Sequence, residues 1–472
     1  MNREEIEKLL EINPRALVDL VVELFRRIEE LEIIIKKDSH NSSKPPSSDM
    51  IRKPKLKNLR EKQGRKPGGQ KGHKGITLEL SSNPDKIIRH TLENCAYCGN
   101  NLKEEETEKV ERRQVYEIPE IKVNIEEHQS EKKKCRSCGK TNKSKFPEGI
   151  NNVVQYGLRL KSYIVYLMNA QLLPYQRTQE IFEDLFGHKL SQGTLNNTNS
   201  SCYELLEETE EKIKESLSKT DIIHLDESGL YVNKKRQWLH VVGTQRLTYY
   251  KHHAKRGREA IDSIGILPLY QGRAIHDFWK SYMLYDCQHG LCNVHHLREL
   301  KFIAEEQKQL WAKKMIELLL EIKQEREKRI ENREESLREI EIREYEKKYH
   351  QIIEEGIQLE KPQEEVFKKK KRGRKKQSKA KNLLDRFINY EKEVLGYMYD
   401  FQVPFDNNQA ERDIRMIKLQ QKISGCFRSD RGAEYFCRIR GYISTAKKQG
   451  VNVLEAIESV FDRNPFQLYR TE

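Results

Sequence analysis

Ile222-Ile223-His224-Leu225-Asp226 is a run of bulky, largely apolar residues that stops on a carboxylate. Such a short run favours a buried strand, and the acid marks where it ends. Arg273-Ala274-Ile275-His276-Asp277 repeats the pattern further along. Between them, Gln237 to Gly243 and Leu247 to His253 read as two more strands of a meander, followed by a short helix from about Arg258. After Asp277 a helix is expected, then a short strand from His289 to Cys292 and a long helix from near His295. The order β-β-β-α-β-α-β-α predicts an α/β layout with a mixed sheet.

Two strands that end on aspartates can bring carboxylates within a few ångströms. Such a pair repels itself unless a divalent cation sits between the groups or one of them is protonated. A third acid is then expected. Glu411 lies within Asp406-Asn407-Asn408-Gln409-Ala410-Glu411-Arg412-Asp413-Ile414-Arg415, in the first turns of a helix for which Asn407 is a suitable cap. Arg415, one turn along the same face, suits a phosphate. In a chain with 74 acids, the alternative is three unrelated surface or capping residues.

The 472 residues suggest roughly three domains at about 150 residues each, which excludes a single small binding module. No stretch approaches the ~18 consecutive apolar residues of a membrane span, and the N-terminus lacks a secretory pattern. A soluble, cytoplasmic protein with no membrane partner is expected. The net charge is +14, and 34% of residues are charged, against about 25% in ordinary globular chains. Ile51 to Leu78 carries a balance of +9 and Lys368 to Lys381 one of +10, so the rest of the chain is net acidic. Blocks this dense are arms that meet a polyanion or solubilising linkers; nucleic acid is the expected partner.

Asn13-Pro14 offers a helix start, and Leu17, Val21, Leu24, Ile28, Leu31 and Ile35 then form a three-heptad seam, for a coiled coil or for packing on the protein's own body. Asp38 to Asp49 and the run from Lys66 to Gly75 cannot build a core and read as linker. Cys95-x-x-Cys98-Gly99 and Cys135-x-x-Cys138-Gly139 flank a segment that alternates from Val110 to Ile125, where a β-hairpin is expected. Four thiolates in two tight turns suit a closed, structural, tetrahedral zinc site. Leu158 to Leu172 and Tyr175 to Phe186 read as helices. Gly187 closes the second and Ser191 caps a third, which matches a helix-turn-helix or ordinary helical packing. Leu310 to Ile357 reads as a long charged helix or helical pair, and further helices run to the C-terminus.

These features together resemble transposases of the insertion sequence 66 family, over nearly the whole length. The resemblance is carried by the zipper-like helix, the Asn41 to Asp49 linker, the glycine-rich basic run, the CxxC pair and His224-Leu225-Asp226-Glu227-Ser228. Its most specific parts are Asp406 to Arg415, Ser429-Asp430-Arg431-Gly432-Ala433-Glu434 and Thr445-Ala446-Lys447. It implies a multidomain α+β protein with an RNase H-like α/β catalytic core and a helical insertion. It also implies that Asp226, Asp277 and Glu411 are a triad for Mg²⁺ or Mn²⁺, beside Zn²⁺ at Cys95, Cys98, Cys135 and Cys138. The expected segments are a zipper-like helix (1–38), basic linker (39–85), zinc module (86–150), helix-turn-helix-like region (151–218), first core part (219–305), insertion with basic run (306–400) and core completion (401–472).

Family members often carry glycine and tyrosine after the second acid, whereas Phe278-Trp279 follow Asp277; Asp286 is the alternative second acid. The family's Cys-x-x-His element is Cys292-Asn293-Val294-His295, expected to pack or position DNA rather than bind metal, since no further ligand accompanies it. The arginines that often follow are reduced to Arg298. The expected function is cleavage of element ends and joining to target DNA, within a homo-oligomer associated with the bacterial nucleoid and aided by accessory transposition proteins. Arg412, Arg415, Lys66, Lys71, Lys74, Arg372 and Arg374 are the expected contacts to double-stranded DNA. A structure-specific two-metal nuclease and a non-catalytic zinc-bearing DNA-binding regulator are the competing readings.

Overall fold

The computed structural model describes residues 13–35, 78–360 and 377–468. Lys66, Lys71, Lys74, Arg372, Arg374 and most of both basic runs lie outside the described residues. The chain forms two compact units, residues 54–124 and the remainder. Among the described residues, no helix is long and apolar enough to cross a membrane. Helix α1 (Pro14–Ile35) keeps Val21, Leu24, Ile28 and Leu31 of its seam exposed.

The described part of the smaller unit has no helix or strand, only a bridge between Asn94 and Asn101 and a clasp in which Gln114 exchanges two hydrogen bonds with Ser81 (2.7 and 2.8 Å). The alternation from Val110 to Ile125 predicts a hairpin that does not form. Val115 is 90% exposed and Ile118 77%, so no second layer rewards pairing with burial. A short antiparallel pair, β1 (Lys132–Lys134) and β2 (Thr141–Lys143), brackets the second cysteine turn instead.

Helix α2 (Leu158–Val165) runs into a π-helical turn, Tyr166–Ala170, rather than continuing to Leu172. Arg440 Nη1 donates to the carbonyls of Asn169 and Ala170 (2.9 and 3.1 Å), which fixes that ending. Helix α3 (Tyr175–Phe186) closes on left-handed Gly187, and α4 (Gln192–Leu205) is capped by Ser191, whose Oγ accepts from Thr194 N at 3.0 Å. Phe182, Leu190 and Leu195 bury one side of this pair against Ile164 and Met168. Helix α5 (Glu207–Ser218) then leads into the sheet.

Five strands lie in the order β5-β4-β3-β6-β7: β3 (Ile222–Val232), β4 (Lys235–Gly243), β5 (Thr248–His253), β6 (Arg273–His276) and β7 (Gln288–Leu291). The first three form the expected antiparallel meander; β6 and β7 add in parallel. Asn233 and Lys234 both have positive φ (47° and 63°), the two-residue turn that matches strand twist. Helix α6 (Arg258–Ile264) makes the crossover. The helix expected between β6 and β7 is only a 3₁₀ turn, Tyr282–Leu284. Phe278 takes a left-handed conformation (φ 71°), through which no helix can begin.

One face of the sheet packs on α5 and α6 through Ile223, Leu225, Val242, Ile213 and Ile261. The other packs on α11 (Asn408–Ser424) and α12 (Asp430–Lys448) through Leu239, Val241, Ala410, Ile414 and Phe436. Helices α7 (Asn293–Glu306), α8 (Leu310–Glu331), α9 (Glu339–Leu359) and α10 (Lys379–Asn389) form the helical body between β7 and α11, followed by two one-turn helices, Glu391–Val394 and Gly396–Tyr399. Its core of Trp311, Met315, Tyr349 and Phe387 is continuous with Ile275 of β6 and Leu291 of β7. Gly356 permits the approach, since a Cβ there would lie 2.7 Å from Leu384. Helix α13 (Val453–Phe461) ends the fold.

Candidate active site

Parallel pairing sets β3 against β6 with His224 opposite Ile275. Continuing that register two residues sets Asp226 level with Asp277, which directly follows β6. Asp226 does not end its strand as the sequence predicts: it is the fifth of the eleven residues of β3, which runs on to Val232 as the antiparallel partner of β4. Strand alternation turns His224 and Asp226 away from Ile223 and Leu225, toward the α11 side. Burial pushes the Asp226 carboxyl well above its ordinary range; Glu227 and Asp277 raise it further, and Glu411 adds to them against an N–H bond from Glu227 (2.8 Å). The three sequence-selected acids therefore share one electrostatic neighbourhood. Asp277 Oδ1 accepts from Trp279 N at 3.0 Å, and Asp286 is exposed in the following loop.

Glu411 sits in the first turn of α11, where the helix dipole favours an anion. Its buried Oε1 has no hydrogen-bond partner; Arg298 Nη2 stands 3.6 Å away and His295 Nδ1 4.0 Å. Burial, then Arg298, lowers the His295 pKa, against the neighbouring Asp277 and Glu411, which raise it. A buried, unsatisfied carboxylate oxygen within electrostatic reach of Asp226 is a donor that suits a hard divalent cation. Arg412 and Arg415 are exposed on α11, and Arg412 bonds Gln409 (3.0 Å).

What fixes α11 to the sheet was not visible in the sequence. Asn407 caps nothing with its side chain. Its Oδ1 accepts from His224 Nδ1 (2.8 Å) and its Nδ2 donates to Leu225 O (2.8 Å), while its own N–H donates to Cys292 Sγ (3.2 Å). Asp406 takes over the cap by accepting from Asn408 N (2.9 Å). A second pin is the pair Asp413–Lys448 (2.6 Å), with Lys448 also donating to Thr244 O and Leu247 O. Asn407→Ala should cost about 2 kcal/mol in denaturant melts, because it strands a buried imidazole and a buried carbonyl. An unchanged midpoint would mean that water replaces both bonds.

Glu227, also missed from the sequence, points to the opposite face. There Arg256 (Nε 2.9 Å) and Tyr282 hold it, and Arg256 lies between the rings of Trp238 and Trp279 (4.9 and 4.4 Å). Its paired state makes it a support for β3 rather than a member of the open cluster.

The cysteine turns are near copies of each other. Gly99 N donates to Cys95 O and Gly139 N to Cys135 O, both at 2.9 Å, with the glycines left-handed at 78° and 67°. Backbone amides lower both leading thiols: that of Tyr97, then Cys98, at Cys95, and that of Cys138, then Ser137, at Cys135. Each turn thus favours the thiolate a metal requires.

The family model for the zinc-finger binding domain of transposase IS66 matches residues 93–139, and a family of unknown function matches residues 2–79. No curated protein matches the chain. The model described as transposase IS66 family matches residues 153–435, more than half of the sequence and every element that builds the carboxylate cluster. With its zinc-finger domain and its α/β body, the chain belongs to the IS66 transposase family.

Proposed function

We propose that the protein cleaves the ends of an insertion sequence and joins them to target DNA, with Asp226, Asp277 and Glu411 as the catalytic acids of an RNase H-like core. The observation that carries this reading is the electrostatic coupling of Asp226, within β3, to Asp277, just past β6, and to Glu411 in the first turn of α11. The sheet order, with three antiparallel strands extended by two parallel ones, supports the fold assignment. Bound Mg²⁺ or Mn²⁺ supplies Lewis-acid stabilisation of the attacking and leaving oxygens in an in-line displacement. Asp226 would hold both ions, with Asp277 and Glu411 holding one each. Asn407 ties the start of α11, which carries Glu411, to β3, and exposed Arg415 would hold a DNA phosphate. Cys95, Cys98, Cys135 and Cys138 would hold a structural zinc.

The test supplies element-end DNA with an exposed 3′-hydroxyl and a second duplex. Covalent joining is the expected product. Hydrolysis without joining would indicate a nuclease, and no chemistry with intact binding would indicate a regulator.

Affinity for DNA should depend on the basic runs. If about half of the ten Lys and Arg residues between Arg52 and Lys74 meet phosphates, deleting the run flattens the slope of log K against log salt by about 4–5. An unchanged slope would make this stretch a spacer. The exposed seam of α1 is proposed as the homo-oligomer contact. Leu24→Asp should then reduce the mass measured by light scattering, and an unaltered mass would return the seam to other use.

A further inference from the structure

Cys292 is the N-cap of α7 and His295 lies on its first turn, so the thiol and imidazole project toward the same neighbour. That neighbour is Glu411, reached across 116 residues of sequence. One ligating atom from each of the three lies within 4.8 Å of the others. His295 Nδ1 and Glu411 Oε1 are both buried without a hydrogen bond and face each other at 4.0 Å. This is too far for a bond between them and close to the separation of two ligands on one ion. Bonds of about 2.0–2.3 Å at tetrahedral angles separate ligand atoms by roughly 3.3–3.6 Å, so closure needs shifts of about an ångström or less. Cys292 Sγ accepts backbone N–H groups at the start of α7 and from Asn407 (3.2 Å), the kind of donors that support a metal-bound sulfur.

We propose that Cys292, His295 and Glu411 form a second metal site, selective for Zn²⁺ and similar cations and separate from the zinc-finger domain. The donor set decides the metal. Thiolate and imidazole favour zinc, whereas Mg²⁺ demands oxygen ligands and retains its waters. Binding requires the Cys292 thiol to release its proton to solvent as the sulfur–metal bond forms. Arg298, which now neutralises Glu411 from 3.6 Å, is displaced as the cation takes over that role. Resting on the proposed catalytic role of Glu411, the site has a regulatory consequence. A zinc ion held there withdraws Glu411 from the acid cluster and so inhibits Mg²⁺-supported chemistry.

The test uses the full chain, reduced and with its zinc finger filled with Zn²⁺, titrated with Co²⁺. Wild type should take up one further equivalent, with sulfur-to-cobalt charge-transfer absorption that excess Mg²⁺ does not remove. Cys292→Ser should lose that band, and His295→Gln and Glu411→Gln should weaken Co²⁺ binding by more than about tenfold. The two near-isosteric variants keep the test valid should Cys292→Ser fail to fold. Absence of any further band in wild type, or the same band in Cys292→Ser, overturns the site; a water bridging the orphaned atoms would give that result. Filling the site with Zn²⁺ should also suppress Mg²⁺-supported strand joining, and undiminished joining overturns the sharing of Glu411. A cobalt band in a protein that never joins strands would count against the transposition reading and not against the metal site.

Discussion

Asp226→Asn, Asp277→Asn and Glu411→Gln should each lower strand cleavage and joining by several orders of magnitude while leaving DNA binding in place. Each change removes one negative charge from a cluster whose chemistry needs every charge, with almost no change in shape. In the proposed reading, binding rests on the basic runs and not on these acids. Asp226→Asn should also have an effect opposite to that of most core substitutions. Burial, Glu227 and Asp277 raise its pKa in the folded state above the unfolded value. Its contribution to stability is therefore complete below the unfolded carboxylate pKa, near 3.9, and is lost as pH rises through the folded value. At neutral pH, without divalent cations, the cost of burying charge at Asp226 opposes folding. The asparagine variant should melt at a higher temperature than wild type under those conditions, whereas added Mg²⁺ should stabilise wild type and not the variant. A lower melting temperature for metal-free Asp226→Asn would show that the cluster is not under electrostatic strain. Equal joining by all three variants would remove the active site altogether.

Cys98→Ser should abolish the order of the zinc-finger domain and leave the sheet intact. Between residues 78 and 131 no described helix or strand exists, and the apolar side chains of Val110, Val115 and Ile118 are exposed. Without a core, metal is what remains to hold such a segment, and structural zinc contributes about 10–16 kcal/mol in small finger peptides. The variant should lack the zinc found at one ion per chain in wild type. Limited proteolysis should cut within residues 93–139, while the melting of the α/β body stays unchanged. Zinc retained at full stoichiometry in Cys98→Ser would remove Cys98 from the ligand set, and a fully reduced wild type without zinc would end the claim.

The aspartates were legible as acids after short apolar runs, but only β6 stops just before its acid; pairing with β4 carries β3 past Asp226 to Val232, which the local pattern did not show. Glu411 was legible as an acid in a helix's first turn, and its pairing with the aspartates came from the resemblance. The role of Asn407 was not legible. Locally it is a good helix cap, but His224, 183 residues earlier, offers a buried partner that outcompetes the helix's own amides. For Cys292 and His295 the third ligand lies on another helix, which only the fold brings near. The alternation from Val110 to Ile125 misled because period two specifies a strand only where a second layer is present to bury one face.

Phe278 gives the second acid an unexpected dependence. A bulky side chain in the left-handed region costs roughly 1–2 kcal/mol, a cost that glycine at this place would avoid. The ring is gripped by the inserted helices, edge-on to Tyr390 at 4.9 Å and under the Arg386 guanidinium at 4.4 Å. The chain next to Asp277 thus behaves as a spring held under tension from outside the sheet, and the insertion serves as the frame against which that carboxylate is aimed.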